Sequence, residues 1–247
     1  KDVHHTICVS SQIGCPLKCE FCATGQMGFK RNLTAEEIVT QVLFFLRYLK
    51  AKKIDLEKSI NVVFMGMGEP FLNYDNVIGA IKIINDKDGL NIGARHISIS
   101  TVGIIEGINK LAKENLQVNL AISLHAPNDK LRSKLIPINK KYPIDKILSA
   151  VDNYIKKTSR RVMFEYMLIK DVNDSTADAK ELSLIIKKPL CFINLITYNP
   201  TGRFQPASIE NAKNFMQILQ RTGVAVTRRR SLGGKIKGAC GQLAAEQ

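Results

Sequence analysis

Short apolar runs alternate with amphipathic segments along most of this chain. The runs at 61–65 and 118–124 are mainly apolar, which is typical of strands that are covered on both faces of a parallel sheet. Between them lie segments of helical periodicity. The segment that begins at Thr34 has two acidic residues in its first turn and places Ile38 and Val42 on one face. The alternation predicts a series of β/α units.

The pattern predicts six such units, with no low-complexity linker or short repeat between them. We therefore expect one α/β domain over residues 1–247, a partial (β/α)6 TIM-like barrel in which ligands bind at the carboxyl ends of the strands. Strands are predicted at 6–10, 61–65, 96–101, 118–124, 162–169 and 192–197, and helices from 34 onward and at 74–85, 105–113, 129–135, 144–157, 175–186 and 209–221.

The charge balance favours a polyanionic partner. Lys and Arg number 36 against 22 Asp and Glu, which gives a formal net charge of +14 and an isoelectric point of about 9.6. RNA or DNA is the partner that such a balance favours, and a merely solvated basic surface is the alternative. No apolar run approaches the ~20 residues that cross a bilayer, and no signal peptide is present. We therefore expect a cytoplasmic protein without a membrane segment.

Three cysteines stand close together near the start of the chain. Cys15, Cys19 and Cys22 are separated by three residues and then by two. A loop with this spacing can wrap three thiolates around one [4Fe–4S] cluster and leave the fourth iron open, whereas a closed structural site normally has four ligands. The spacing favours a radical-generating cluster that binds S-adenosylmethionine (SAM). Structural zinc held together with His4 or His5, and a chance group of buried thiols, are the alternatives.

Glycine-containing and polar motifs follow several of the predicted strands. Gly-Met-Gly-Glu-Pro occupies 66–70, where glycine lets the backbone approach a ligand and Glu69 offers a carboxylate to a cation such as the amino group of SAM. Ser100, Ser123 and His125 lie at the ends of the next two strands. Their hydroxyl and imidazole groups suit a ribose, a carboxylate or adenine. Each motif is weak when taken alone, because glycine-rich turns and strand-end histidines also occur for structural reasons.

The other cysteines differ in their surroundings. Of the six cysteines in the chain, Cys240 lies on a glycine-flanked segment, so we expect it to be exposed and to be nucleophilic if nearby cations lower its pKa. Cys8 lies toward the end of the first predicted strand and could face the same cavity. Cys191 begins an apolar strand, and we interpret it as a core residue. Six cysteines in a chain of this length that is expected to be cytoplasmic favour metal or redox chemistry over a disulfide scaffold.

Taken in order, these motifs resemble those of the radical-SAM adenosine methyltransferases of the RlmN/Cfr type, from about Ile7 to Leu243. The markers are Cys-Val-Ser-Ser-Gln at 8–12, Cys-Ala-Thr-Gly at 22–25, Arg-Asn-Leu at 31–33, and the Gly-Met-Gly-Glu-Pro, Ser-Thr-x-Gly, Ser-Leu-His-Ala-Pro, Tyr-Asn-Pro and Ala-Cys-Gly-Gln-Leu segments that follow. Each single motif is a modest indication, whereas the ordered set is specific.

The resemblance implies a role for each matching residue. Cys15, Cys19 and Cys22 would bind a [4Fe–4S] cluster. Cys240 would be methylated and then carry the one-carbon unit, and Cys8 would help to release the product by forming a disulfide with Cys240. The implied SAM contacts are Gly68, Glu69, Ser100, Ser123, Leu124, His125 and Asn199.

The implied activity is methylation of an adenosine ring carbon, C2 in preference to C8, in 23S rRNA, with tRNA as a second candidate substrate. A monomer that receives electrons from flavodoxin or ferredoxin is expected. The family normally has a further N-terminal domain, which we expect to be absent here, and residues 228–247 form a basic segment that carries Cys240. The alternative is a radical-SAM enzyme that acts on a substrate other than RNA, with Cys240 as an extra cluster ligand.

Overall fold

Strands and helices alternate along the chain as predicted. The computed structural model describes residues 5–54, 60–229 and 238–243. In these residues the strands are β1 (His5–Cys8), β2 (Gln12–Gly14), β3 (Phe29–Asn32), β4 (Ile60–Phe64), β5 (Ile97–Thr101), β6 (Asn119–Ser123), β7 (Val162–Leu168), β8 (Cys191–Thr197) and β9 (Val226–Arg229). The α-helices are α1 (Ala23–Gln26), α2 (Ala35–Ala51), α3 (Tyr74–Asn85), α4 (Ile105–Leu111), α5 (Asp129–Leu135), α6 (Ile144–Thr158), α7 (Thr176–Ile186) and α8 (Ile209–Arg221). None of these helices combines the length and the hydropathy that a membrane span requires.

Within the described residues, seven strands form one sheet in the order β1-β4-β5-β6-β7-β8-β9, and every neighbouring pair is parallel. The sheet curls into a half-barrel with β1 and β9 at its two edges, which confirms the predicted partial barrel. The sequence pattern does not predict β9, because this short strand ends in Arg228 and Arg229 and lacks an apolar run. The antiparallel pair of β2 and β3, which flanks the cysteine loop, is also unpredicted.

The helices pack against the sheet through the apolar faces that the sequence predicts. At the start of α2, the Thr34 side chain accepts a hydrogen bond from the Glu37 N–H, and the Glu37 carboxylate accepts one from the Thr34 N–H. This capping box fixes the first turn of the helix. Ile38 and Val42 then point into the main apolar core and are fully buried. Cys191 belongs to the same core, which confirms its interpretation.

A buried arginine donates hydrogen bonds to main-chain carbonyls at the carboxyl edge of the sheet. Arg132 lies in the middle of α5 and is fully buried. Its guanidinium donates hydrogen bonds to the carbonyls of Val102, Ser123 and Leu124, where β5 and β6 end, and to the side-chain oxygen of Asn139. Buried carbonyls need such partners, so this side chain holds the loops after two neighbouring strands in one arrangement.

Replacing Arg132 by Met tests this support. Met fills much of the same space but donates no hydrogen bond, so the buried carbonyls lose their partner. We expect the free energy of unfolding to fall by about 3 kcal/mol or more, measured by urea unfolding followed by circular dichroism. Lys134→Met changes an exposed position on the same helix and should alter stability by less than about 0.5 kcal/mol. Equal stability of the two variants would contradict the role of Arg132.

Candidate active site

One cavity of about 150 Å³ lies at the carboxyl edge of the sheet and is lined by most of the predicted site residues. The predicted residues on its wall are Cys15, Cys19, Cys22, Gly68, Glu69, Ser100, Ser123, His125 and Cys240. Of the described residues that were predicted, Cys8, Leu124 and Asn199 lie outside this lining. The structure therefore brings together four thiols, one carboxylate, two hydroxyls and an imidazole from widely separated parts of the chain.

The three clustered cysteines lie on the loop between β2 and α1. Cys19 is buried, whereas Cys15 and Cys22 are half-buried. Burial raises the pKa of the Cys15 thiol to about 11 and also raises the pKa of Cys19, and the neighbouring thiols add to both rises. A cationic centre would offset this cost, and three soft sulfur donors suit an iron–sulfur cluster. Among the described residues no three His, Cys, Asp or Glu side chains already converge on a metal position, so cluster binding requires the three thiols to turn toward one point.

Main-chain hydrogen bonds hold the cysteine loop at both ends. The Cys15 N–H donates to the Gly28 carbonyl at 3.0 Å, and the Cys22 N–H donates to the Cys19 carbonyl at 3.1 Å. Between them, Lys18 adopts a left-handed conformation with φ of 53°. The reversal of the chain at Lys18 keeps the loop tight, so the three thiols face the same cavity.

The turn after β4 brings a buried carboxylate to the cavity wall. Gly68 has φ of 97°, and a Cβ there would come within 2.6 Å of the Gln12 Cβ, so only glycine fits. The Glu69 carboxylate accepts hydrogen bonds from the N–H groups of Phe71, at 3.0 Å, and Val102, at 2.9 Å. Burial raises the pKa of Glu69 to about 7 despite these bonds. The Thr101 side chain also has a hydrogen bond with this carboxylate, which still leaves one of its roughly four acceptor sites for a bound cation.

Ser100, Ser123 and His125 form the polar part of the wall above β5 and β6. The two serine hydroxyls lie 3.3 Å apart. His125 Nδ1 accepts a hydrogen bond from the Met167 N–H at 3.1 Å, so the remaining ring proton of the neutral imidazole sits on Nε2. Burial, helped by the nearby charge of Arg132, lowers the pKa of His125 to about 3. His125 is therefore a neutral hydrogen-bond donor.

Leu124 and Asn199 support the site without lining the cavity. The Leu124 side chain is fully buried in the core. Its N–H donates to the Glu165 carbonyl at 3.0 Å, and its carbonyl accepts from Arg132 at 3.0 Å. The Asn199 side chain donates to the Cys240 carbonyl at 3.2 Å. Leu124 thus fixes a strand end, and Asn199 fixes the segment that carries Cys240.

Cys240 is half-buried, so the expectation of an exposed thiol is wrong. The glycine-flanked segment folds back onto the cysteine loop, where the Ala23 N–H donates to the Gly241 carbonyl at 2.8 Å. This contact and the bond from Asn199 carry the thiol into the cavity. Burial raises the pKa of Cys240. The flexibility that the glycines suggest is removed by packing against residues far away in sequence.

Cys8 lies at the end of β1, on the rim beside Cys240. It is exposed, yet the surrounding protein raises the pKa of its thiol to about 11, and the neighbouring Cys240 contributes to this rise. All six cysteines are described, and all are free thiols. The implied disulfide between Cys8 and Cys240 is therefore not a feature of this structure, although the two side chains are electrostatic neighbours.

Glu165 and Arg229 also line the cavity, but neither belongs to a recognised motif. Glu165 lies in the middle of β7 and is 2% exposed, and Asn194 of β8 donates to both of its oxygens, at 3.2 and 3.0 Å. Burial raises its pKa to about 7. One sequence signal does mark Glu165 and Asn194: each is a polar residue inside an otherwise apolar strand.

Glu165 should make the stability of the fold depend on pH. The pKa of Glu165 is about 7 in the folded state and 4.5 in the unfolded state. Its contribution to the free energy of unfolding is therefore fully present below pH 4.5 and is lost as the pH rises through about 7. The shift corresponds to about 3 kcal/mol at most. We expect Glu165→Gln to flatten the fall in unfolding free energy between about pH 5 and pH 8 in urea titrations. Asp88→Asn, at an exposed carboxyl, should keep the wild-type slope. The same slope in Glu165→Gln would argue against the raised pKa.

Comparison with known proteins identifies relatives of this chain. Residues 9–182 match the Radical SAM superfamily. The chain is 51% identical to a probable dual-specificity RNA methyltransferase RlmN of Dictyoglomus turgidum, over 98% of this chain and 69% of the relative. It is also 51% identical to a ribosomal RNA large subunit methyltransferase N of Nitrosopumilus maritimus, over 96% of this chain and 67% of the relative.

A solved structure shares the fold. The crystal structure of a radical SAM methyltransferase from Sphaerobacter thermophilus superposes with a TM-score of 0.94 at 48% identity, and the match covers 98% of this chain and 70% of that one. The relatives are thus longer than this chain. The superfamily match, the level of identity and the shared fold agree, and the chain belongs to the RlmN family of radical SAM RNA methyltransferases.

Proposed function

We propose that this protein methylates an adenosine ring carbon in 23S rRNA, C2 in preference to C8, with tRNA as a second substrate, through a methylated Cys240. The observation that carries the proposal is that the Cys15–Cys22 loop and the separate Cys240 thiol share one cavity. An enzyme that only generated a radical would need the Cys15–Cys22 loop but not a second thiol beside it. The ring carbon is electron-poor and not nucleophilic, so direct methyl transfer from SAM would fail, and a second thiol that carries the carbon supplies the missing step.

The proposed cofactors are a [4Fe–4S] cluster on Cys15, Cys19 and Cys22 and SAM beside it. When bound, this cluster supplies the electron that cleaves SAM to a 5′-deoxyadenosyl radical. The buried Glu69 carboxylate suits the amino group of SAM, because a charge-assisted hydrogen bond is strong in a site from which water is excluded. Neutral His125 offers a donor. The other proposed SAM contacts are Gly68, Ser100 and Ser123 on the cavity wall. Leu124 and Asn199 are also proposed, although they lie outside the cavity lining and support it.

Cys240 and Cys8 carry the proposed carbon transfer. The Cys240 thiolate accepts a methyl group from SAM. A hydrogen atom then passes from that group to the 5′-deoxyadenosyl radical, which leaves a methylene radical that adds to the adenine ring. The adduct loses one electron, which would return to the oxidised cluster, and the ring-carbon proton, which passes to solvent. The Cys8 thiolate attacks the Cys240 sulfur, the bond between that sulfur and the carbon breaks, and the carbon takes a proton to become the product methyl group. An external thiol reduces the transient sulfur–sulfur bond.

The remaining parts of the proposal concern partners and location. A net charge of +14 favours a polyanionic RNA substrate. We propose flavodoxin or ferredoxin as the electron donor, a monomeric state and a cytoplasmic location. Residues 230–237 of the basic C-terminal segment lie outside the described residues, so the contribution of that segment to RNA binding is part of the proposal.

An assay with methyl-labelled SAM tests the proposed function. Protein reconstituted with iron and sulfide under anaerobic conditions is incubated with a reductant and with 23S rRNA, tRNA or unmodified poly(A). We expect free 5′-deoxyadenosine in the reaction mixture, because it is the product left when the radical takes a hydrogen atom, and 2-methyladenosine in nucleoside digests of the rRNA. The same assay on the full-length Dictyoglomus turgidum relative is the positive control. If the relative forms both products and this chain forms neither, the proposal is wrong.

Replacing Cys240 by Ala separates the carrier role from a role as cluster ligand. We expect Cys240→Ala to retain the iron content of the wild type but to lose RNA methylation by at least about a hundredfold, because the carrier sulfur is gone. Cys191→Ala is the matched control, since that thiol is buried in the core and should be dispensable for turnover. Iron analysis and nucleoside mass spectrometry measure the two properties. Loss of iron from Cys240→Ala alone would favour the alternative with a fourth cluster ligand.

A further inference from the structure

Arg229 reaches across the opening between the two edges of the half-barrel. It ends β9, the edge strand on one side, and its Nη1 lies 3.2 Å from the Met65 sulfur, directly after β4. On the other side, β1 pairs with β4 in a register that sets Cys8 opposite Val63. The Cys8 thiol also has a hydrogen bond with the Met65 main chain. The Arg229 side chain therefore ends beside the residue that holds Cys8.

The charge of Arg229 acts on both thiols of the proposed carbon transfer. It lowers the pKa of Cys240 and of Cys8, against burial, which raises both. The other ionisable groups that face Cys240 are Glu165 of β7 and Cys22 of the cysteine loop, and Cys240 itself faces Cys8. Each of these raises the pKa of its neighbour. Arg229 is the cation that favours the thiolate at both positions among the described residues.

Arg229 has no direct carboxylate partner among the described residues, although part of its side chain is buried. The side chain is half-buried, whereas Arg228, its neighbour on β9, is exposed, as expected for side chains that alternate along a strand. No carboxylate of the described residues forms a salt bridge with Arg229. Glu165 acts on it only through the wider field of the cavity. A half-buried guanidinium that lines the cavity without a direct carboxylate partner among the described residues is available to a thiolate.

We propose that Arg229 is a positioning residue that stabilises the thiolates of Cys240 and Cys8, and so makes both sulfurs reactive in one cavity. The inference rests on the proposed function and adds a residue to it. In the first step the Cys240 thiol gives its proton to solvent, and the sulfur attacks the methyl carbon of SAM. The bond from that carbon to the sulfonium breaks, and neutral S-adenosylhomocysteine leaves. No electron is gained or lost in this step.

Alkylation of Cys240 by iodoacetamide measures the thiolate without RNA or SAM. The protein carries its reconstituted cluster and an unmethylated Cys240. The tryptic peptide that follows Lys237 contains no other cysteine, so mass spectrometry follows Cys240 alone. At pH near 7.5 we expect Arg229→Met to slow alkylation by roughly tenfold, and to slow methylation of Cys240 by SAM by a similar factor. A higher pH should restore both rates, and Arg229→Lys should retain most of them.

Two further variants decide the outcome. Arg228→Met removes the exposed charge next along the strand and should change neither rate. Glu165→Gln should speed alkylation, because Glu165 raises the pKa of Cys240. If Arg229→Met follows the pH profile of Arg228→Met, the proposal is overturned. If Arg229→Met does not fold, Arg229→Gln takes its place, and the pH profile of Arg228→Met in that variant overturns the proposal instead. Failure of the wild type to methylate RNA would count against the proposed function and would leave the alkylation result standing.

Discussion

The carboxyl edge of the parallel sheet depends on buried donors that pair its free carbonyls. Past the last ladder bond of each strand, carbonyls point into a region from which water is excluded, and each needs a partner. Arg132 supplies donors to Ser123 and Leu124 and to the end of the strand beside them. Asn173 does the same for His125, at 2.8 Å, and for the end of β7. The loops after β5, β6 and β7 are therefore held by the side chains of Arg132 and Asn173, which do not line the cavity.

The electrostatics of the cavity follow from that enclosure. Burial favours the neutral form of several ionisable groups on its wall: it raises the pKa of Glu69 and Glu165 to about 7, raises that of Cys15 to about 11, and lowers that of His125 to about 3. A site of this kind is poor at binding anions but changes its charge readily when a cation enters. The proposed ligands, an iron–sulfur cluster and a sulfonium compound, both bring positive charge to the acids and thiols. Their binding would then be coupled to proton release.

Much of this arrangement can be predicted from the sequence, and the reasons for the exceptions are physical. Apolar runs and capped amphipathic segments determine the strands and helices, and the spacing of three cysteines within one short loop marks the first part of the site. Arg132 escapes prediction because its position in an amphipathic helix resembles that of a solvated arginine, and only the folded chain shows its buried partners. Glu165 was open to prediction as a lone acid in an apolar strand. The burial of Cys240 was not, because it depends on contacts with Ala23 and Asn199, which are remote in sequence.

The open side of the half-barrel explains why the two thiols are placed where they are. In a closed barrel the first and last strands pair with each other, and their ends are not free to carry reactive groups to a shared gap. Here β1 and β9 remain edges, with Cys8 at the end of one strand and Arg229 at the end of the other. In the proposed mechanism, Cys240 on the segment that follows β9 and Cys8 at the end of β1 would therefore act from opposite edges of the described sheet on a base that lies between them.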